Sequence, residues 1–389
     1  MSKNFETEAI RTQTERTQFS EHSTPLYLTS SFVFDDAEDM RSSFAEEKER
    51  NLYSRFTNPN TTEFVDKIVA MEGAEAGYAF ATGMSAIFSS FAALLNAGDH
   101  IVSCRSVFGS THSMFTKYLP KWNIETSYFK VDEIDIVESL IKENTKILYI
   151  ETPTNPAVDI LDLELIGNIA KKHNLIFIVD NCFATPYIQQ PIKFGADLVI
   201  HSATKLIDGQ GRVLGGVTVG KADLIREIYL FARNTGPAMS PFNAWVLSKS
   251  LETLSIRVEK HCENALKVAQ FLEENENVEL VKYPFLKSHP QYKVAQNQMK
   301  LGGNIVAFEI KGGIEAGRKF LDNIKMCSLS ANLGDTRTIV THPSSTTHGR
   351  LSEEDRLEVG ITNGLVRVSV GLENADDIIA DIQQALNAR

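Results

Sequence analysis

Ala196-Asp197-Leu198-Val199-Ile200-His201-Ser202-Ala203-Thr204-Lys205 reads as a short apolar strand, Ala196 to Ile200, that hands its next five residues to the C-terminal edge of a sheet. In open α/β sheets that edge is where ligands bind. The pentapeptide sets one primary amine, Lys205, close to two hydroxyls, Ser202 and Thr204. A partly desolvated amine can capture an aldehyde, and hydroxyls can hold a phosphate. Alone, a Ser-x-Thr-Lys stretch after a strand is more often an ordinary loop. Its meaning depends on what the other strands bring to the same edge.

Asp180 ends the preceding strand candidate, Leu175-Ile176-Phe177-Ile178-Val179. A carboxylate there can keep a pyridine nitrogen protonated and make the ring an electron sink. A lone Asp at such a place is otherwise a helix cap or a surface acid. Consecutive strands, however, would aim Asp180 and Lys205 into one crevice. Upstream, Tyr78 to Ala81 reads as a strand, and Thr82-Gly83-Met84-Ser85 as the turn into a helix over Ala86 to Leu95. That helix sets Ile87, Phe88, Phe91, Leu94 and Leu95 on one face and stops at Asn96-Ala97-Gly98. The N–H groups of Gly83 and Met84 at a helix N-terminus can face a phosphate, and a turn that merely packs the helix on the sheet is the equal alternative. An amine for an aldehyde, an acid for a pyridine and a phosphate turn together fit pyridoxal 5'-phosphate (PLP).

Bulk properties suit a large enzyme. The chain has 389 residues with 43% hydrophobic content, enough for a sizeable core and two or more domains. No run approaches about 18 uninterrupted apolar residues, so no membrane span is expected. The polar opening from Met1 to Phe19 lacks the apolar centre of a secretory signal, and a cytoplasmic location follows as the expectation. Cys104, Cys182, Cys262 and Cys327 are widely spaced and read as reduced, mostly buried thiols, with no zinc-type spacing and no metal expected. A formal charge of −11 argues against a nucleic-acid surface.

The organisation reads as tripartite. Residues 1–57 form a polar arm with few periodic apolar residues, which must pack on something else. Residues 58–249 alternate strands and helices, with further strands expected at His100 to Ser103, Ile147 to Ile150 and Val213 to Val219. That alternation predicts an α/β fold, a mostly parallel sheet with helices on both faces. Residues 250–389 read as a smaller α+β domain with strands near Ile305 to Phe308 and Leu365 to Val370, and a closing helix carrying Ile378, Ile379, Ile382 and Leu386. Arg367 sits on the second of these strands, and its fork suits either a substrate carboxylate or an internal salt bridge. The glycine-rich run Asp208-Gly209-Gln210-Gly211-Arg212 is expected to wrap around a cofactor.

The ordered set Tyr53-Ser54-Arg55, Thr82-Gly83-Met84-Ser85, Glu151-Thr152-Pro153-Thr154-Asn155-Pro156, Asp180-Asn181, His201 to Lys205 and Arg367 resembles the Cys/Met-metabolism family of PLP enzymes from about Ser23 to the C-terminal helix. The resemblance implies the type I fold of PLP-dependent transferases. It implies that Lys205 carries the cofactor, that Asp180 partners the pyridine nitrogen, and that Gly83, Met84, Ser202 and Thr204 cradle the phosphate. Tyr53 and Arg55 match residues that reach the cofactor of a neighbouring subunit, in a homotetramer built as a dimer of dimers. Asn155 matches a group near the cofactor oxygen, and Arg367 with Asn332 one near the substrate α-carboxylate.

Phe108, in Ser106-Val107-Phe108-Gly109-Ser110-Thr111, departs from the tyrosine many relatives stack on the ring; it can stack but has no phenol. With Asp208 to Arg212 and Ala331 to Arg337, it makes the chain most similar to the O-succinylhomoserine sulfhydrylase branch. The implied reaction is replacement of the acyl group at Cγ of homoserine by sulfide, with Lys205 moving the protons. The same scaffold also runs O-acetylhomoserine sulfhydrylation, cystathionine γ-synthesis and methionine γ-elimination, and a PLP-binding protein without catalysis is the reading from a different class. Arg105, Arg212 and Arg337 are candidates for sensing a succinyl carboxylate. His342 and His348 read as loop structure rather than metal ligands.

Overall fold

The computed structural model describes residues 3–347, 349, 352–358 and 360–388. The large sheet holds β1 (Ala76–Phe80), β2 (His100–Cys104), β3 (Glu125–Phe129), β4 (Thr145–Glu151), β5 (Ile176–Asp180), β6 (Leu198–His201) and β7 (Gly216–Gly220), in the order β1-β7-β6-β5-β4-β2-β3. Strands β2 to β6 run parallel. Strand β7 runs antiparallel to both of its neighbours, β1 and β6.

The central strands read as continuous apolar runs because both their faces are buried. Leu148, Ile150, Phe177, Val179 and Val199 join one core, against Phe64, Ile68 and Ile166. Their neighbours Ile147, Tyr149, Ile178, Leu198 and Ile200 join the other, against Ile87, Phe91 and Ile228. Those partners sit on helices Pro59–Glu72 and Leu163–Lys172 for the first face, and Gly83–Leu94 and Ala222–Thr235 for the second.

A second sheet orders β10 (Ser328–Leu329), β11 (Ile339–Thr341), β12 (Leu365–Ser369), β9 (Ile305–Ile310) and β8 (Val278–Lys282). Its core is separate, built on Val306, Phe308, Val366 and Val368 with Ile378 and Ile382 of the last helix, Ala375–Leu386. Helix Leu254–Glu273 joins the two units, giving Leu254, Val258 and Cys262 to the first core and Ala265, Val268 and Leu272 to the second. The arm docks through both apolar and polar contacts: Ala9 and Phe5 pack on the first core, Glu63 accepts from the Thr14 N–H and the Thr24 hydroxyl, and Asn60 accepts from the Tyr27 N–H at 2.7 Å.

Two elements start three residues from where they are expected, while β1, β4, β5 and β6 start within two. The helix after β1 begins at Gly83 and not at Ala86, because Thr82 and Ser85 form a capping box in which each side chain meets the other's N–H at 3.0 Å. Strand β7 begins at Gly216, since Val213 to Gly215 are still loop. Strands β3, β8, β10 and β11 were not expected from sequence.

Candidate active site

The C-terminal ends of β4, β5 and β6, the N-terminus of helix Gly83–Leu94 and the loop after β10 enclose a cavity of about 270 Å³. Its lining includes Gly83, Met84, Phe108, Glu151, Asn155, Asp180, Cys182, Ser202, Thr204, Lys205 and Arg367. The sequence motifs, up to 284 residues apart between Gly83 and Arg367, therefore converge on one space.

Each wall has a local cause. Asp180 and Lys205 follow neighbouring parallel strands, with Asp180 paired to Ile200 in register. A Cβ on Gly83 would stand 2.7 Å from the Ser202 Cβ, so only glycine lets the helix N-terminus come this near the Ser202 turn. That approach sets main-chain N–H groups and the Ser202 hydroxyl on one side of the cavity, a donor set that suits a phosphate. The Thr204 hydroxyl lines the same side and is held by Gly215, accepting its N–H at 3.1 Å.

Lys205 Nζ donates to Asn332 Oδ1 at 2.6 Å. Burial pushes its pKa below the usual lysine value, and the Arg367 charge adds to the shift while Cys182 opposes it. Arg367 donates through Nη1 to Asn155 Oδ1 at 2.9 Å and through Nη2 to the Asn332 carbonyl at 3.1 Å. Its Nε is buried without a partner among the described residues, so the guanidinium keeps donor capacity for a carboxylate entering the cavity. Asn332 thus sits between the amine and the guanidinium.

Asp180 is almost fully buried, accepting from the Cys182 N–H at 3.1 Å and, at 3.4 Å, from the Tyr149 hydroxyl. Burial pushes its pKa up; the Cys182 N–H, the nearby His201 and the Tyr149 hydroxyl pull it back. Glu151, in register with Asp180 on β4, is the cavity residue that sequence reasoning missed. Burial, then the Asp180 charge, drive its pKa well above the carboxylate range. Its place inside Glu151-Thr152-Pro153-Thr154-Asn155-Pro156 was the available signal, since Asn155 of that motif was singled out and Glu151 was not.

Other expected residues lie elsewhere. Tyr53 is exposed and packs its ring on Phe56, while the Arg55 guanidinium lies over Phe56 at 4.8 Å and donates to the Arg233 carbonyl; neither lines this chain's cavity. The glycine-rich run does not wrap the cavity: Gly209 packs against Arg257 and Gly211 against Asp335, and of the adjoining residues Leu214 reaches the lining. Arg105 pairs with Glu358 at 2.7 Å, Arg212 with Asp208 at 2.9 Å and Arg337 with Asp335 at 2.9 Å, all outside the lining. His342 bonds Ser345 and the Asn363 carbonyl, while His348 lies outside the described residues.

A family model described as Cys/Met metabolism PLP-dependent enzyme matches residues 6–387. The chain is 46% identical over 384 residues to an O-succinylhomoserine sulfhydrylase of Pseudomonas aeruginosa, covering 99% of this chain and 95% of that protein. It is 44% identical over 391 residues to an L-methionine gamma-lyase of Porphyromonas gingivalis, covering 100% and 98%. Among solved structures, a putative O-acetylhomoserine (thiol)-lyase of Campylobacter jejuni aligns with a TM-score of 0.95 at 34% identity, covering 99% and 100%, and it carries N'-pyridoxyl-lysine-5'-monophosphate.

Proposed function

The chain belongs to the Cys/Met metabolism family of PLP-dependent enzymes, and on that premise we propose that it is an O-succinylhomoserine sulfhydrylase, exchanging the acyl group at Cγ for sulfide to give homocysteine and succinate. Bound PLP supplies an aldehyde for the amine and an electron sink for charge developing at the substrate carbons. The rest falls to this chain. Arg367, freed on its Nε side, clamps the α-carboxylate, with Asn155 and Asn332 fixing the guanidinium. Asp180 would hold a proton on the ring nitrogen, Ser202, Thr204, Gly83 and Met84 would take the phosphate, and Phe108, on the cavity wall, would offer an apolar ring to stack on.

Lys205 would carry a proton from Cα to the cofactor and, free again as the amine, take one from Cβ as the Cγ–O bond breaks with its electron pair on the departing succinate. Sulfide bonds to Cγ, and the protons return to Cβ and Cα. The observation that carries this reading is Phe108 on the cavity wall. A ring without a phenol leaves Lys205 as the amine that moves these protons, a feature the chain shares in resemblance with the sulfhydrylase branch. The arm, residues 1–57, reaches a second subunit of a cytoplasmic homotetramer in this reading; residues 58–249 form the cofactor domain and residues 250–389 the smaller one.

Methionine γ-elimination is the second reading. It is favoured by the 44% identity to an L-methionine gamma-lyase, and by a cavity whose lining cations among the described residues are Lys205 and Arg367, with Arg105, Arg212 and Arg337 engaged elsewhere. The deciding experiment gives the purified enzyme sulfide with O-succinylhomoserine or O-acetylhomoserine, and separately methionine, and compares kcat/KM. Highest kcat/KM with the succinyl ester supports the proposal. Preference for the acetyl ester, or faster elimination from methionine, overturns it.

A further inference from the structure

Glu151 is a buried acid that the reaction above does not use. It is 3% exposed, lines the cavity, and lies opposite Asp180 in the parallel pairing of β4 and β5. Neighbouring strands stand about 4.8 Å apart, and residues in register project to the same side. The donors Glu151 meets are main-chain N–H groups, that of Phe108 at 2.6 Å to Oε2 and that of Asn155. Among the described residues, the two cations that share the cavity are turned to other acceptors, Lys205 to Asn332 and Arg367 to Asn155 and the Asn332 carbonyl.

We propose that Glu151 is a positioning residue that works as a neutral carboxylic acid, anchoring the Phe108 main chain over the ring site and leaving Asp180 the single anion of the cavity floor. Two carboxyl groups side by side in a dry site without a cation between them keep one proton. Both accept main-chain N–H groups, Glu151 from Phe108 and Asn155 and Asp180 from Cys182, but Asp180 also accepts from the Tyr149 hydroxyl and has His201 nearby. That added support for the ionised form falls to Asp180, and Glu151 keeps the proton, as its raised pKa agrees. The remaining titratable neighbours supply no competing charge of the same sign: burial holds Tyr149 on the same strand, Cys104 on β2 and Cys182 after β5 in their neutral forms. A charged Glu151 would instead share the pyridine proton with Asp180 and blur the ring's electron demand. The inference rests on the PLP site and not on which acyl group or thiol is used, so a failed acyl-homoserine assay would leave it standing.

Infrared spectra of the holoenzyme at neutral pH test it. A carboxylic-acid carbonyl band, moved by ¹³C-glutamate labelling and lost in Glu151→Gln, is the expected result. No such band, or one that survives Glu151→Gln, overturns the proposal. If Glu151→Gln does not fold, Asp180→Asn serves: without the neighbouring charge the same labelled band should titrate at lower pH than in the wild type, and an unmoved titration overturns the proposal equally. For the anchoring part, Glu151→Ala lacks an acceptor for the Phe108 N–H that the amide of Glu151→Gln retains. Its apoprotein should bind PLP about tenfold more weakly than that of Glu151→Gln, the worth of one hydrogen bond. Equal affinities would remove the link to Phe108.

Discussion

Lys205 has its chemistry set by what surrounds it. Burial depresses its pKa, so above any given pH more of it is free amine than in an exposed lysine. The rate at which apoprotein captures PLP should therefore rise with pH through a midpoint below the ordinary lysine value of about 10.4. Stopped-flow absorbance reads this, and a midpoint at the ordinary value would contradict the burial argument. Lys205→Ala, which removes the proposed proton carrier, should cut kcat by about 10²- to 10⁴-fold; turnover close to wild type in a variant that still binds PLP would assign the proton transfers to another group. In the proposed reaction Arg367 acts earlier, in binding. Arg367→Leu should raise KM by about 10- to 100-fold, the cost of lost charge-assisted hydrogen bonds, with a smaller change in kcat. A pure kcat effect would place Arg367 away from the carboxylate.

At the level of elements, the buried parallel strands were legible because their apolar runs have few competing readings. Strands β4, β5 and β6 fall within two residues of the expected ends. The missed strands lack that signature: β3, Glu125-Thr126-Ser127-Tyr128-Phe129, is an edge strand rich in polar residues, and β8 alternates exposed Glu279 and Leu280 with buried Val278 and Val281. Among the candidate site residues, Asp180 and Lys205 are legible from their places at and just after strand ends, and Arg367 from being the cation within the apolar strand β12. Glu151 was not, because its neutral form depends on burial beside Asp180, which only the pairing of β4 with β5 creates.

The helix Leu254–Glu273 shows the same dependence on context. His261 there is fully buried, its Nδ1 meets the Val370 carbonyl at 2.8 Å, and its Nε2 has no partner among the described residues. The carbonyl fixes the proton on Nδ1, so a second proton would bury an unpaired N–H. Burial lowers the pKa from 6.5 to about 4. A folded pKa below the unfolded one gives stability that is complete above pH 6.5 and is lost as pH falls toward 4, by about 3 kcal/mol at most. Denaturant unfolding of the wild type across that window, set against His261→Gln, should show a shallower acid loss in the variant. Identical slopes would place the acid sensitivity elsewhere.

The whole molecule raises the question of what the arm does. Phe19, Leu28 and Val33 are 81%, 68% and 87% exposed, an apolar display that a lone chain leaves in water. Tyr53 and Arg55 are held by Phe56 and Arg233, away from their own chain's cavity. If they serve the phosphate of a second copy, each site draws Lys205 from one subunit and Arg55 from another. Arg55→Ala and Lys205→Ala, each weakly active alone, should then complement: denatured together in equal amounts and refolded, half of the dimers are mixed. Each mixed dimer has one site with both residues intact, so about a quarter of wild-type activity should return. If both residues came from one chain, mixed dimers would hold no intact site, and activity would stay at the level of the separate variants. Gradual loss of the recovered activity on dilution would further tie it to subunit association, because a shared site exists only while the two copies remain together.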